Sequence, residues 1–428
     1  MRGASSGVEK GLHRDAGRLT ILADSSGGYP LFIKTSILFA AMLLSAASVS
    51  NASPVIHRLD GSILSPDKAN AIADGELKAN NVMGAELAIL NRERIVWRHA
   101  YGLRDAKNGL AMTVDTNIWA ASITKSVFAT WVMQHGVDLD HPVADMLAHP
   151  LDAYAHYRDS ASDLVRDPQW RQVTPRMLLT HSSGLGNLVV LEPDQKLHLH
   201  FKPGTRFAYS GDGLNILQLA LEEKLGETLD VAMRHDIFTP LGMTRTEMVW
   251  REDFASNMAL RYDAKGAYIG TTHRDAARAA GSMATTVDDL SRFIEALLAH
   301  KILPPAAQAR MFSPQIAINA AHQFPTFDTA TSDEGPKVGL AYGIGWGLLT
   351  RTKFGPAFFK EGHGDGAENY LICFVRSGTC MILLTNSDNG ELAFRPLLEK
   401  LIGDTVTPWT WEGYTRDAIL HNEEHAPK

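Results

Sequence analysis

Only two cysteines, Cys373 and Cys380, occur in 428 residues, too few for a disulfide scaffold. A cationic excess is also missing: 41 Lys and Arg stand against 48 Asp and Glu, for a net charge of −7. Binding to a phosphate backbone depends on clustered cations, so nucleic acid is not an expected partner. No apolar run approaches the roughly 20 residues a membrane-spanning helix needs. No period repeats along the chain, which excludes solenoids and propellers. A Gly-rich phosphate loop and a Gly-x-Ser-x-Gly elbow are both lacking. The close histidine pairs, His198-x-His200 and His421 with His425, fit no zinc-hydrolase spacing and read as solvent-facing. Neither a metal nor a cofactor is expected. What remains is an ordinary globular composition, 45% hydrophobic and 21% charged, long enough to bury a large core unaided.

Residues 1–52 read as a leader outside the fold. Lys34 precedes the uncharged run Ile37 to Leu44, and Ser50-Asn51-Ala52 offers a small-x-small cleavage point. The expected destination is the periplasm or the medium, with membrane association only through an uncleaved signal. Removing five cations and three acids with this leader leaves 36 against 45, a net charge of −9.

From residue 53 to 403 the pattern describes one catalytic domain. Ser65-Pro66 before an Ala-rich run to about Asn81 marks a capped helix. Ala85 to Leu90 and Ile95 to Tyr101 read as two strands of a hairpin. A mostly helical lobe follows over about 121–300, with helices at Ser122 to Gln134, Gly213 to Leu225 and Thr286 to Ala299. Strands return at Tyr342 to Leu349, Ala357 to Lys360, Tyr370 to Val375 and Thr379 to Thr385, before a closing helix at Phe394 to Ile402. That order predicts an α/β (α+β) fold. Its antiparallel sheet is built from both chain ends, about 64–120 and 338–403, flanked by helices and interrupted by the helical lobe. Cys373 and Cys380 face each other across the last hairpin, as a disulfide or as two buried thiols. Residues 404–428, charged and aperiodic, read as a surface tail, although Trp409 and Trp411 suit packing on the sheet.

Chemistry concentrates at Ala121-Ser122-Ile123-Thr124-Lys125. On a helix, Ser122 and Lys125 share a face one turn apart. A buried lysine favours its neutral form and then acts as a base for the hydroxyl, while the helix N-terminus aims N–H groups at an oxyanion over Ser122. Ser65-Pro66-Asp67-Lys68 repeats the spacing but is explained by helix capping. Further along, Lys202-Pro203-Gly204 leads through a turn to Tyr209, whose phenol could relay a proton between nucleophile and leaving group.

Ser122-x-x-Lys125, Leu178-Leu179-Thr180-His181-Ser182-Ser183-Gly184, Tyr209-Ser210, Pro240-Leu241-Gly242-Met243 and Leu384-Thr385-Asn386 follow one another in an order that resembles the serine β-lactamase-related family. That family includes class C β-lactamases, DD-peptidases and esterase-like hydrolases, and the resemblance covers about residues 64–403. It implies a β-lactamase/transpeptidase-like fold and an acyl-enzyme mechanism. Ser122 would be nucleophile, Lys125 general base, Tyr209 proton shuttle, and the Ser122 N–H one oxyanion donor. The family's third element, Lys-Thr-Gly or His-x-Gly, has two registers here: Lys360-Glu361-Gly362 with the N–H of His363 as donor, or His363-Gly364-Asp365 with Gly366 as donor. His363 is the favoured catalytic choice, with Lys360 nearby.

Two departures from the family pattern bear on substrate. Gly211 stands where the family's Tyr-x-Asn carries an amide, and an acid, Glu361 or Asp365, enters the third element. That acid should repel a substrate carboxylate and suit a cationic amine. The expectation is an exported serine hydrolase acting on an ester or amide of a small-molecule or peptide-like substrate. A penicillin-binding DD-peptidase, a D-aminopeptidase or β-lactamase activity, and a non-catalytic scaffold remain as alternatives. Substrate contacts are assigned to Lys360, Gly211, Glu361, Asp365 and Gly366.

Overall fold

A computed structural model describes residues 55–419. The leader, its apolar run, and His421 with His425 lie outside the described residues. Among those described, no helix is long and apolar enough to cross a membrane.

The first helix, α1 (Pro66–Ala79), opens as its sequence dictates: Ser65 Oγ accepts from the N–H of Lys68 and proline occupies the first turn. Strands β1 (Gly84–Asn91) and β2 (Arg94–Asp105) form the expected hairpin, extended at the edge by β3 (Leu110–Ala111). The chain then leaves the sheet for the lobe that carries α2 (Ile123–Gln134), α3 (Gly211–Leu225) and α4 (Val287–Leu298). It returns through β4 (Ile316–Ala317), β5 (Leu340–Tyr342), β6 (Gly347–Leu349), β7 (Ala357–Gly364), β8 (Ala367–Phe374) and β9 (Thr379–Thr385). The nine strands lie in the order β4-β5-β6-β7-β8-β9-β1-β2-β3, antiparallel throughout, so β9 seams the C-terminal strands to the N-terminal hairpin. After β9 come α5 (Gly390–Leu401) and a last turn, α6 (Trp409–Glu412).

Both faces of the sheet are covered, which is why β1, β8 and β9 are buried along their whole length without alternation and are mostly apolar. One face presents Ala88, Phe358, Leu371 and Ile382 to α2 and α4; the other presents Leu87, Phe359, Ile372 and Leu383 to α1 and α5. Cys373 and Cys380 are register partners on β8 and β9 and form a disulfide.

Two expectations change. The apolar run Tyr342 to Leu349 is not one strand: Gly345 takes φ +78° and turns the chain between β5 and β6. An alanine-sized side chain there would collide with the Cβ of Ala129, so this turn needs glycine both for its angle and for its approach to α2. The stretch after residue 403 is not a surface tail as far as it is described. Trp409, Trp411 and Tyr414 are buried, with Trp411 packed edge-on to Phe359 and Tyr370 Oη donating to Glu412 at 2.9 Å.

Candidate active site

Ser122 sits at the entry to α2, and the residue before it, Ala121, is held at φ +45°, a conformation that L side chains seldom adopt. Such strain persists only where surrounding contacts enforce it. Here the Ala121 carbonyl accepts the Thr124 hydroxyl at 2.5 Å, and Ala120 N–H donates to Met283 O at 2.9 Å. One turn on, Lys125 Nζ lies 2.8 Å from Ser122 Oγ and also donates to the carbonyl of Ala280. Burial pushes the Lys125 ammonium below its ordinary pKa; Tyr209 opposes that shift and the cation of Lys360 adds to it.

The phenol of Tyr209 lies between two amines. Lys125 Nζ and Lys360 Nζ each stand 5.0 Å from its ring centroid, and Lys360 Nζ is 3.1 Å from its oxygen. Burial alone would raise this phenol's pKa, but the charges of Lys125 and then Lys360 outweigh it and hold the group below its usual value. His181, from the Leu178–Gly184 motif, also reaches this cluster, a role that its motif does not signal. Its ring packs 4.3 Å from Tyr209, and its Nδ1 accepts the N–H of Ser210 at 3.1 Å. Burial, then Lys125 and Lys360, keep this imidazole neutral.

The third element adopts the Lys360 register. Lys360 and Gly362 face α2, and a Cβ on Gly362 would lie 2.4 Å from the Ala120 carbonyl, so only glycine lets β7 run this close to the chain entering α2. β6 pairs with β7 only as far as Phe359, leaving residues 360–364 with a free edge on that side. The alternative register fails on geometry. The N–H of Gly366 donates to Asp388 and is not available as an oxyanion donor, and exposed Asp365 sits at the turn, its carbonyl accepting Arg261 Nη1 at 2.6 Å. The favoured placement of the His363 ring in catalysis is likewise corrected. Strand alternation turns it to the opposite sheet face from Lys360, where Nδ1 meets Glu368 and Glu391.

Glu361 is buried and committed: Lys360 Nζ donates to its Oε1 at 2.8 Å and Gln323 Nε2 at 2.9 Å. Burial opposes ionisation of Glu361, but Lys360 holds its pKa below the usual carboxylate range, while Lys360 itself is kept charged against burial by Glu361 and Tyr209. Gly211 lies at the start of α3, its N–H donating to the backbone oxygen of Asn187 at 2.8 Å. No local signal pointed to Gln323 or Asn187, which reach the site from loops distant in sequence. His200 is exposed and His198 half-buried, bonded to Glu192 and Asp194 at 3.0 and 2.8 Å on the surface.

The Beta-lactamase family model matches residues 69–403. A D-aminopeptidase of Brucella anthropi is 30% identical over 173 residues, 39% of this chain but only 33% of that protein, so the match takes in about a third of its length. Penicillin-binding protein 4 of Amycolatopsis lactamdurans is 25% identical over 354 residues, 76% of this chain and 86% of the relative. Among solved structures, an octameric penicillin-binding protein homologue from Pyrococcus abyssi shares the fold with a TM-score of 0.64 at 20% identity, covering 81% of this chain and 79% of its own.

Proposed function

Because this chain belongs to the β-lactamase family, serine hydrolases that work through an acyl-enzyme, we propose that it cleaves an ester or amide lacking a carboxylate beside the scissile bond. In this reading Ser122 Oγ attacks the carbonyl and gives its proton to neutral Lys125. The N–H groups of Ser122 and His363 receive the oxyanion. Tyr209, held between the two amines, passes the proton to the leaving group and later draws one from water. Lys360 keeps the phenol acidic.

The observation that carries the substrate preference is the Lys360–Glu361 pair at 2.8 Å. A lysine in that position would be the natural anchor for a substrate carboxylate, and here its charge is already neutralised by a buried acid. Gly211 adds to this, offering no amide to an acylamino group. A second reading, an amide with a free amine as in a D-aminopeptidase, is favoured by the 30% match. Its amine would need an acid other than Glu361, which holds Lys360.

We further place the enzyme in the periplasm or medium, on the strength of Lys34, Ile37 to Leu44 and Ser50-Asn51-Ala52. The deciding experiment is intact mass after separate exposure to a short activated ester, a fluorophosphonate and a penicillin, with Ser122→Ala alongside. Expected are a fluorophosphonate adduct dependent on Ser122, ester turnover reduced at least about 1000-fold in Ser122→Ala, and no penicillin adduct or turnover. A stable penicillin adduct would overturn the substrate assignment. Silence towards every probe would indicate a binding scaffold.

A further inference from the structure

On the sheet face away from Ser122, three elements bring three ligand atoms together. His363 at the end of β7, Glu368 on β8 and Glu391 in the first turn of α5 have ligand atoms within 4.8 Å of one another. His363 Nδ1 lies 2.9 Å from Glu368 Oε2 and 2.7 Å from Glu391 Oε1. A single Nδ1–H cannot serve two carboxylates fully. The Glu368 and Glu391 side chains are only 2% and 11% exposed, whereas that of His363 is 65% exposed. Two largely buried carboxylates therefore share one imidazole as their only bonded cation among the described residues, at a spot open to solvent on the histidine side. Buried carboxylates are costly unless a cation compensates them.

The packing directs Glu368 into this cluster. Its strand partner is His363, and a Cβ on Gly390 would lie 2.8 Å from the Glu368 Cβ, so the glycine that starts α5 lets the helix close down over the carboxylate. Glu391, the next residue, completes the set from above.

We propose that His363, Glu368 and Glu391 form a binding site for one divalent zinc ion, with water in the position that faces solvent. One imidazole nitrogen and two carboxylates suit zinc better than magnesium or calcium, which favour oxygen ligands alone. Ligand atoms 2.7 to 2.9 Å apart would have to separate to about 3.3–3.6 Å to surround an ion tetrahedrally at about 2.0–2.2 Å, a movement that the exposed His363 side chain can supply. The bound ion would tie the end of β7 to β8 and α5. The site takes no part in the hydrolysis proposed above, and its existence stands or falls separately.

The test is calorimetric titration of chelator-treated full-length protein with zinc chloride at constant pH, alongside His363→Ala and Glu391→Gln, with melting curves for each. Expected are one equivalent bound by the native protein, a zinc-dependent rise in Tm, and affinity weakened roughly 100-fold in either variant. Native protein that takes up no zinc would overturn the proposal, as would variants that bind it equally well. The exposed His363 side chain can be shortened without opening the core, so this variant keeps the test decisive should Glu391→Gln fold poorly.

Discussion

Two lysines approach one phenol, and their different neighbours shift them in opposite directions. Lys360 has Glu361 at 2.8 Å and stays an ammonium, whereas Lys125 has no acid among its bonded partners and is biased toward the free amine. The charge of Lys360 lowers the pKa of Lys125 and that of Glu361 raises it. If Lys125 must be neutral to act, the acidic limb of kcat/KM follows its pKa. Lys360→Met should therefore move that limb to higher pH and Glu361→Gln to lower pH, each by about one unit or less. Limbs that stay fixed in both variants would remove Lys125 from the role of base. Glu361→Gln should also destabilise the fold by about 3 kcal/mol, because it strands a buried ammonium.

At the scale of elements, the central strands are fastened covalently. The bond between Cys373 and Cys380 closes a loop of seven residues' separation across β8 and β9. A loop this short should yield about 2.5 kcal/mol through the unfolded chain. Urea unfolding of the Cys373→Ala/Cys380→Ala protein should show a loss of that order, and an unchanged midpoint would mean the pair contributes nothing. The sequence signalled this hairpin clearly, as it did α1, α2, α4 and the Ser122–Lys125 spacing, because each follows a local period or cap. It did not reveal the turn at Gly345, since an apolar run looks the same whether it continues or folds back onto α2. The register of the third element was equally hidden. It is decided by the contact of Gly362 with Ala120 and by Asp388 claiming the Gly366 N–H, and both partners lie far away in sequence. Glu368 and Glu391 escaped notice for the same reason: their meeting with His363 depends on strand register and on the seating of α5.

For the whole molecule, the C-terminal stretch serves as a buttress. Trp411 packs against Phe207 and Phe359, and Glu412 accepts from Tyr370, so the chain after residue 403 backs both the Tyr209 loop and the strand that carries Lys360. The aperiodic stretch reads as a surface tail because one short turn buries it without a repeating stripe, but the packing expected of Trp409 and Trp411 is what the structure has. Ending the chain after Ile402 should lower Tm by several degrees and reduce turnover, measured by calorimetry and ester hydrolysis. A truncated protein with native Tm and activity would show that these contacts do not matter.

The seam between β9 and β1 also sets a timetable. Leu384 pairs with Glu86 across almost three hundred residues of intervening chain, and Lys360 meets Tyr209 only once β7 has been added to the sheet. The residues of α2 thus precede by more than two hundred positions the strands β7 to β9 that pack beside them. The pocket around Ser122 therefore cannot be assembled from the first half of the fold alone: it closes only when strands made some three hundred residues after β1 have been laid beside it.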